Sequence, residues 1–173
     1  MILKRLSEHG VEYVLVGGFA AMGHGCMIVT QDMDICAPLV RPNLDKIVGA
    51  LGDLHPHFRF RPNSQKLPLY DDPARLVGFK NIYLTTDWGI LDILGEMEGI
   101  ATYLDLASKS VEVNFGEFKC QMIDLDTLIA VKRAVGRQKD LFHLKQLEAV
   151  RKKKEDRAMS SKENETFHDA DPT

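Results

Sequence analysis

Apolar positions fall into short runs and helical stripes along this chain, and their spacing predicts most of its elements. Residues 1–10 read as an amphipathic helix closed by Gly10. The run Tyr13, Val14, Leu15, Val16 is short, rich in β-branched and aromatic side chains and stopped by Gly17-Gly18, so it predicts a buried strand. Residues 19–22 form a compact helical segment closed by Gly23-His24-Gly25. Residues 28–36 predict a strand, in which alternation sets Asp32 and Asp34 on one face with Met33 and Ile35 behind them. A helix over 42–54 carries Leu44, Ile47, Val48 and Leu51 on one face and ends at Pro56. Residues 58–73, with Pro62, Pro68 and Pro73, predict a strand fragment and then a loop in which an acceptor could be gripped. Residues 79–85 and 88–94 predict neighbouring strands joined near Thr86-Asp87, and 110–123 a hairpin turning at Gly116. Asp124 or Asp126 caps the next helix, and 138–150 continue with Leu141, Leu144 and Leu147 at helical spacing.

Composition narrows the class. A chain of 173 residues with 45% hydrophobic content can bury one sizeable core, which sets the domain at residues 1–150. After Val150 the sequence turns charged and small-polar, so residues 151–173 are expected to be a frayed helix end and then a disordered tail. No apolar stretch reads as a membrane span, and the first ten residues lack the pattern of a signal peptide. Cys26, Cys36 and Cys120 are odd in number, far apart and without zinc spacing, which points to a reducing cytoplasm. The net charge of −3 argues against general nucleic-acid affinity. Between Lys132 and Arg157, however, ten lysines and arginines face four acids, a local concentration that suits either a solvated helix face or an RNA acceptor.

Candidate chemistry gathers at three places. Gly17-Gly18 lies at a strand-to-helix turn, where the missing Cβ atoms let backbone approach a ligand and helix amides favour an anion such as a triphosphate. Asp32 and Asp34 would repel each other unless cations stand between them, and hard oxygen ligands suit Mg²⁺. Asp92, between Leu91 and Ile93, is too costly to bury ionised and alone, so it needs a proton, a hydrogen bond or a cation. An EF-hand is excluded, because counting from Asp32 the sixth position is Ala37 and the twelfth Asn43. A Walker loop is absent, and Gly17-Gly18-Phe19 breaks the spacing of a dinucleotide fingerprint. His55-Pro56-His57 has no matching cluster for zinc, His24 suits a structural role at a helix end, and Trp88 suits a core or rim anchor.

Gly-Gly at a strand end, the T-x-D-x-D of Thr30, Asp32 and Asp34, the later Asp92, and a C-terminal segment with Leu125 to Lys132 and then Gly136 to Asp140 form an ordered set. Over about residues 1–150 that set resembles the minimal nucleotidyltransferases of the polymerase-beta superfamily, with the AbiEii-type, toxin-like branch the nearest in pattern. The resemblance implies an α+β fold with a small mixed β-sheet flanked by helices. It also implies transfer of a nucleoside monophosphate from an NTP such as ATP, with release of pyrophosphate. On that likeness Asp32, Asp34 and Asp92 hold Mg²⁺ or Mn²⁺, and Asp92 takes the proton of the attacking hydroxyl. Gly17 and Gly18 cradle phosphates, Lys132, Arg137 and Lys139 contact triphosphate or acceptor, and Asp140 orients them. The implied acceptor is an RNA end, as of tRNA, or a protein hydroxyl, and the implied partner is an antitoxin. One departure stands out: Ile28 occupies the position, two before the Thr, where relatives of that branch often carry arginine. It keeps open an alternative, a catalytically impaired nucleotide- or partner-binding module of the same fold.

Overall fold

The computed structural model describes residues 1–59, 66–97 and 99–168, the last eight of these as backbone. Its centre is a mixed sheet. β1 (Val14–Leu15) pairs antiparallel with β2 (Asp32–Cys36) and parallel with β9 (Lys119–Ile123), while β2 pairs parallel with β5 (Gly89–Leu94). Beyond β5 lie β4 (Asn81–Thr86) and β3 (His57–Phe58), and beyond β9 lies β8 (Ser110–Asn114), so the order is β3-β4-β5-β2-β1-β9-β8. The expected α+β architecture, a mixed sheet flanked by helices, is therefore the one observed.

The central strands follow the alternation of the sequence. Met33 and Ile35 are buried on β2, and Ile82 and Leu84 on β4, so these side chains enter the core while their neighbours face the other way. Around the sheet, α1 (Ile2–Glu8) buries Ile2, Leu3 and Leu6, and α3 (Arg41–Leu51) buries Leu44, Ile47 and Leu51. The short α2 (Gly17–Gly23) follows β1 directly, so the glycine pair opens the helix instead of preceding it. The hairpin β8–β9 delivers the chain to α5 (Leu125–Val135), whose N-cap is Asp124: its carboxylate accepts from the Thr127 amide at 2.8 Å.

Two parts differ from the sequence reading. Periodicity predicts no element between β5 and the 110–123 hairpin, but β6 (Glu96–Met97) pairs antiparallel with β7 (Ala101–Thr102) there, and α4 (Tyr103–Ser108) follows. A capping box starts that helix, Thr102 accepting from the Asp105 amide while the Asp105 carboxylate accepts from the Thr102 amide. The last helix, α6 (Gln138–His168), runs beyond residue 150. Residues 152–160 are exposed and mostly charged or polar, and pairs such as Arg151 with Glu155 at 3.8 Å, four residues apart, support helix there. Residues 60–65 of the expected acceptor loop and 169–173 of the expected tail fall outside the described residues.

Candidate active site

Asp34 stands directly opposite Asp92 across the parallel β2–β5 pair, and Asp32 lies two residues back on the same face of β2. All three line one cleft with Gly17, Gly18 and Thr30 on one side and Lys132, Arg137, Lys139, Asp140 and His143 on the other. The residues given catalytic, metal or nucleotide roles in the sequence reading thus border a single space, lined on one flank by residues of α5 and α6.

The glycine pair serves these acids first. A Cβ on Gly17 would lie 2.1 Å from Asp34 Oδ2, and one on Gly18 would lie 2.8 Å from the Thr30 side chain. Gly17 also holds a φ of +65°, a left-handed conformation that L side chains rarely adopt. The close approach anticipated for a phosphate is therefore made to Asp34 and Thr30.

Burial pushes the Asp34 carboxyl up to about 6, with the facing Asp92 adding to the shift and the Gly18 amide opposing it. Asp92 is also raised by burial, against the pull of Arg59. That arginine, which the sequence reading did not single out, donates from Nη2 to Asp92 Oδ1 at 2.5 Å and Oδ2 at 2.7 Å. The polar phase of the alternating stretch His57-Phe58-Arg59 was the available signal, since it sets Arg59 opposite buried Phe58.

The basic candidates separate into two kinds. Lys132 is only 5% exposed, and its ammonium donates to Asp140 Oδ1 at 3.1 Å and lies 3.3 Å from His143 Nδ1. Asp140, 2% exposed, also accepts from Arg137 Nε at 2.7 Å, the orienting role the sequence suggested. Burial raises the Asp140 carboxyl, but Arg137 and Lys132 outweigh it and hold the group below its ordinary value. Burial and the Lys132 charge hold the His143 imidazole below its ordinary value. Lys132 and Arg137 are thus tied into the α5–α6 junction, whereas Lys139 is exposed and its charge acts on both Asp34 and Asp92.

The remaining candidates are structural. His24 Nε2 lies 2.8 Å from the Ile123 carbonyl and burial lowers its pKa, fitting the helix-end role expected of it. Ile28 is buried and packs in the core. Trp88 is 51% exposed at the rim, with the Arg5 guanidinium 5.7 Å from its ring centre. The three cysteines are free and buried. Among the described residues no helix is long and apolar enough to cross a membrane.

The donor set suits a hard divalent cation, since it is all carboxylate and its two facing acids repel each other. Among the described residues, however, no three acid, histidine or cysteine side chains form a ready-made metal cluster.

The mixed sheet flanked by helices is the nucleotidyltransferase fold, and two solved structures share it. The chain is similar to the lincosamide antibiotic adenylyltransferase LnuA in its lincomycin-bound form, with a TM-score of 0.58 and 18% identity over 86% of this chain and 93% of that one. It is also similar to a Thermotoga maritima protein provisionally described as a nucleotidyltransferase, with a TM-score of 0.52 and 17% identity over 83% and 86% of the two chains. No protein-family profile matches the sequence, and no curated protein matches it. Likeness at these identities defines the fold.

Proposed function

We propose that this protein is a Mg²⁺-dependent nucleotidyltransferase that moves a nucleoside monophosphate from an NTP to the hydroxyl of an RNA end or of a protein. The observation that carries the reading is the Asp34–Asp92 pair, two acids directly opposed on parallel strands, with Gly17 giving Asp34 the room to stand there. Asp32, Asp34 and Asp92 would hold the divalent cation, Mg²⁺ or Mn²⁺, which when bound supplies Lewis-acid stabilisation of phosphate charge. The acceptor oxygen forms the new bond to the α-phosphorus as the bond to the β-phosphate oxygen breaks, and pyrophosphate leaves. The hydroxyl proton passes to Asp92. Lys139 and Arg137, at the cleft mouth, meet the triphosphate or acceptor, and Asp140, paired with Lys132, holds Arg137 in place.

The exposed Lys152, Lys153 and Lys154 of α6 support an RNA acceptor. The AbiEii-type resemblance adds a cytoplasmic role as the toxin of a toxin-antitoxin pair, with an antitoxin as partner. Residues 1–150 are assigned the catalytic unit and 151–173 an appendage. A second reading, a binding module with impaired catalysis, is favoured by one observation: Arg59 occupies the carboxylate that the reaction needs.

The test is label transfer from each of the four α-³²P NTPs, with Mg²⁺ or Mn²⁺, onto total tRNA, onto extract protein and onto lincomycin, the ligand in the LnuA structure. Label that disappears in Asp34→Asn identifies the donor base and the acceptor class. No transfer, with metal-dependent nucleotide binding retained, establishes the binding module. An antitoxin-like reading frame beside the gene supports the toxin role.

A further inference from the structure

Arg59 belongs to a row of side chains that crosses four strands. Its amide donates to the Tyr83 carbonyl at 2.8 Å, extending the β3–β4 register that sets Phe58 opposite Leu84. Tyr83 in turn faces Asp92, and Asp92 faces Asp34. Directly opposed residues share a sheet face, so Arg59, Tyr83, Asp92 and Asp34 form one line from the sheet's edge to its centre. Within it the Arg59 and Asp92 side chains are 18% and 12% exposed.

A pair this enclosed cannot be opened without replacement partners, because removing one member leaves the other buried and uncompensated. A cation that claims Asp92 therefore displaces the Arg59 guanidinium from that carboxylate. The planar, fivefold-donor guanidinium matches phosphate oxygens as well as it matches carboxylate, and the phosphates of the nucleotide are the anions that arrive together with the cation.

We propose that Arg59 is the resident counter-ion of Asp92 and exchanges that carboxylate for the nucleotide's phosphates when a divalent cation binds. The proposal deepens the nucleotidyltransferase reading and rests on it. Arg59 then opposes bare metal and favours metal-bound nucleotide, two effects of opposite sign. A merely structural arginine would lose both affinities together when removed.

The experiment is a Mn²⁺ titration followed by electron paramagnetic resonance without nucleotide, paired with equilibrium dialysis of labelled ATP at saturating Mg²⁺. Both are run on the full chain, on Arg59→Gln, on Arg59→Lys and on Asp34→Asn. In Arg59→Gln, bare Mn²⁺ is expected to bind at least about fivefold tighter and MgATP at least about fivefold weaker. Bare-metal affinity that is unchanged, or that falls together with MgATP affinity, overturns the exchange. If Arg59→Gln loses its circular dichroism, Arg59→Lys decides, because a point charge grips both carboxylate oxygens less well. A smaller gain in bare-metal affinity in that variant supports the exchange, and no gain overturns it. Metal and nucleotide binding that Asp34→Asn removes but Arg59→Gln leaves unmoved defeats this proposal alone. No binding by the unaltered protein, of Mn²⁺ or of MgATP, defeats the nucleotidyltransferase reading with it.

Discussion

Gly17→Ala is the substitution that most directly tests how the site is built. A Cβ there would lie 2.1 Å from Asp34 Oδ2, 2.6 Å from its Cγ and 2.7 Å from its Cβ. Rotating the Asp34 side chain relieves the first two contacts. The third is fixed by the backbone of β2, so strand or helix must move. The left-handed φ of +65° costs an alanine about 1–2 kcal/mol, and crowding a packed site costs about 1–3 kcal/mol more. Stiffening the unfolded chain returns about 0.4–1 kcal/mol. The net expectation is a loss of about 2–4 kcal/mol. Gly10→Ala is the matched control, since Gly10 has a φ of +64° but nothing within 4 Å of its Cβ position. It carries the conformational cost without the crowding, about 0.5–1 kcal/mol net. Urea unfolding followed by far-ultraviolet circular dichroism measures both variants, and MgATP dialysis should show binding lost in Gly17→Ala and kept in Gly10→Ala. If the two unfold within about 0.5 kcal/mol of each other, the close approach of Asp34 does not constrain position 17 and the reasoning fails.

Asp34 also sets a pH dependence in metal-free buffer. Its folded carboxyl titrates near about 6 against an ordinary 3.8, so the folded state keeps the proton longer and stability falls as pH rises through that window. Asp34→Asn should therefore be more stable than the parent above about pH 6, by about 1–3 kcal/mol, with the advantage gone below about pH 4. Equal urea midpoints at neutral pH would show that Asp34 is not destabilised by its surroundings. At the α5–α6 junction, Asp140→Ala leaves the Lys132 ammonium buried without its carboxylate and should cost about 3–5 kcal/mol in a thermal melt. The double change Lys132→Met with Asp140→Leu should recover most of that loss, and a melt as low as that of Asp140→Ala alone would contradict the account.

Several elements were legible because their signals are local. Alternation on residues 32–36 put both aspartates on one face, and β4–β5 and β8–β9 followed from paired runs around short turns. The cap of α5 was readable as Asp124 or Asp126 from their position at the start of an apolar helix, and the structure selects Asp124. The Thr102-x-x-Asp105 signature of α4 was present in the sequence too, but six residues of helix give periodicity little length to register. The extension of α6 to His168 was not evident from composition, since a charged stretch reads as solvated whether or not pairs such as Arg151 with Glu155 hold it helical.

The sequence by itself determined the ingredients of the site: a glycine pair after a buried strand, two acids on one face of the next strand, and a third acid in an apolar one. Each depends on spacing within a single element, which the backbone periods of helix and strand dictate. Only the tertiary structure decided how they are used. Strand register set Asp34 against Asp92, brought Arg59 onto Asp92 from a strand more than thirty residues earlier in the chain, and pressed Gly17 against a carboxylate. The packing of α5 on α6 buried Lys132 with Asp140 and left Lys139 exposed over the cleft. These contacts join residues far apart in sequence, and no local period encodes which distant charge a buried group will find when the sheet closes.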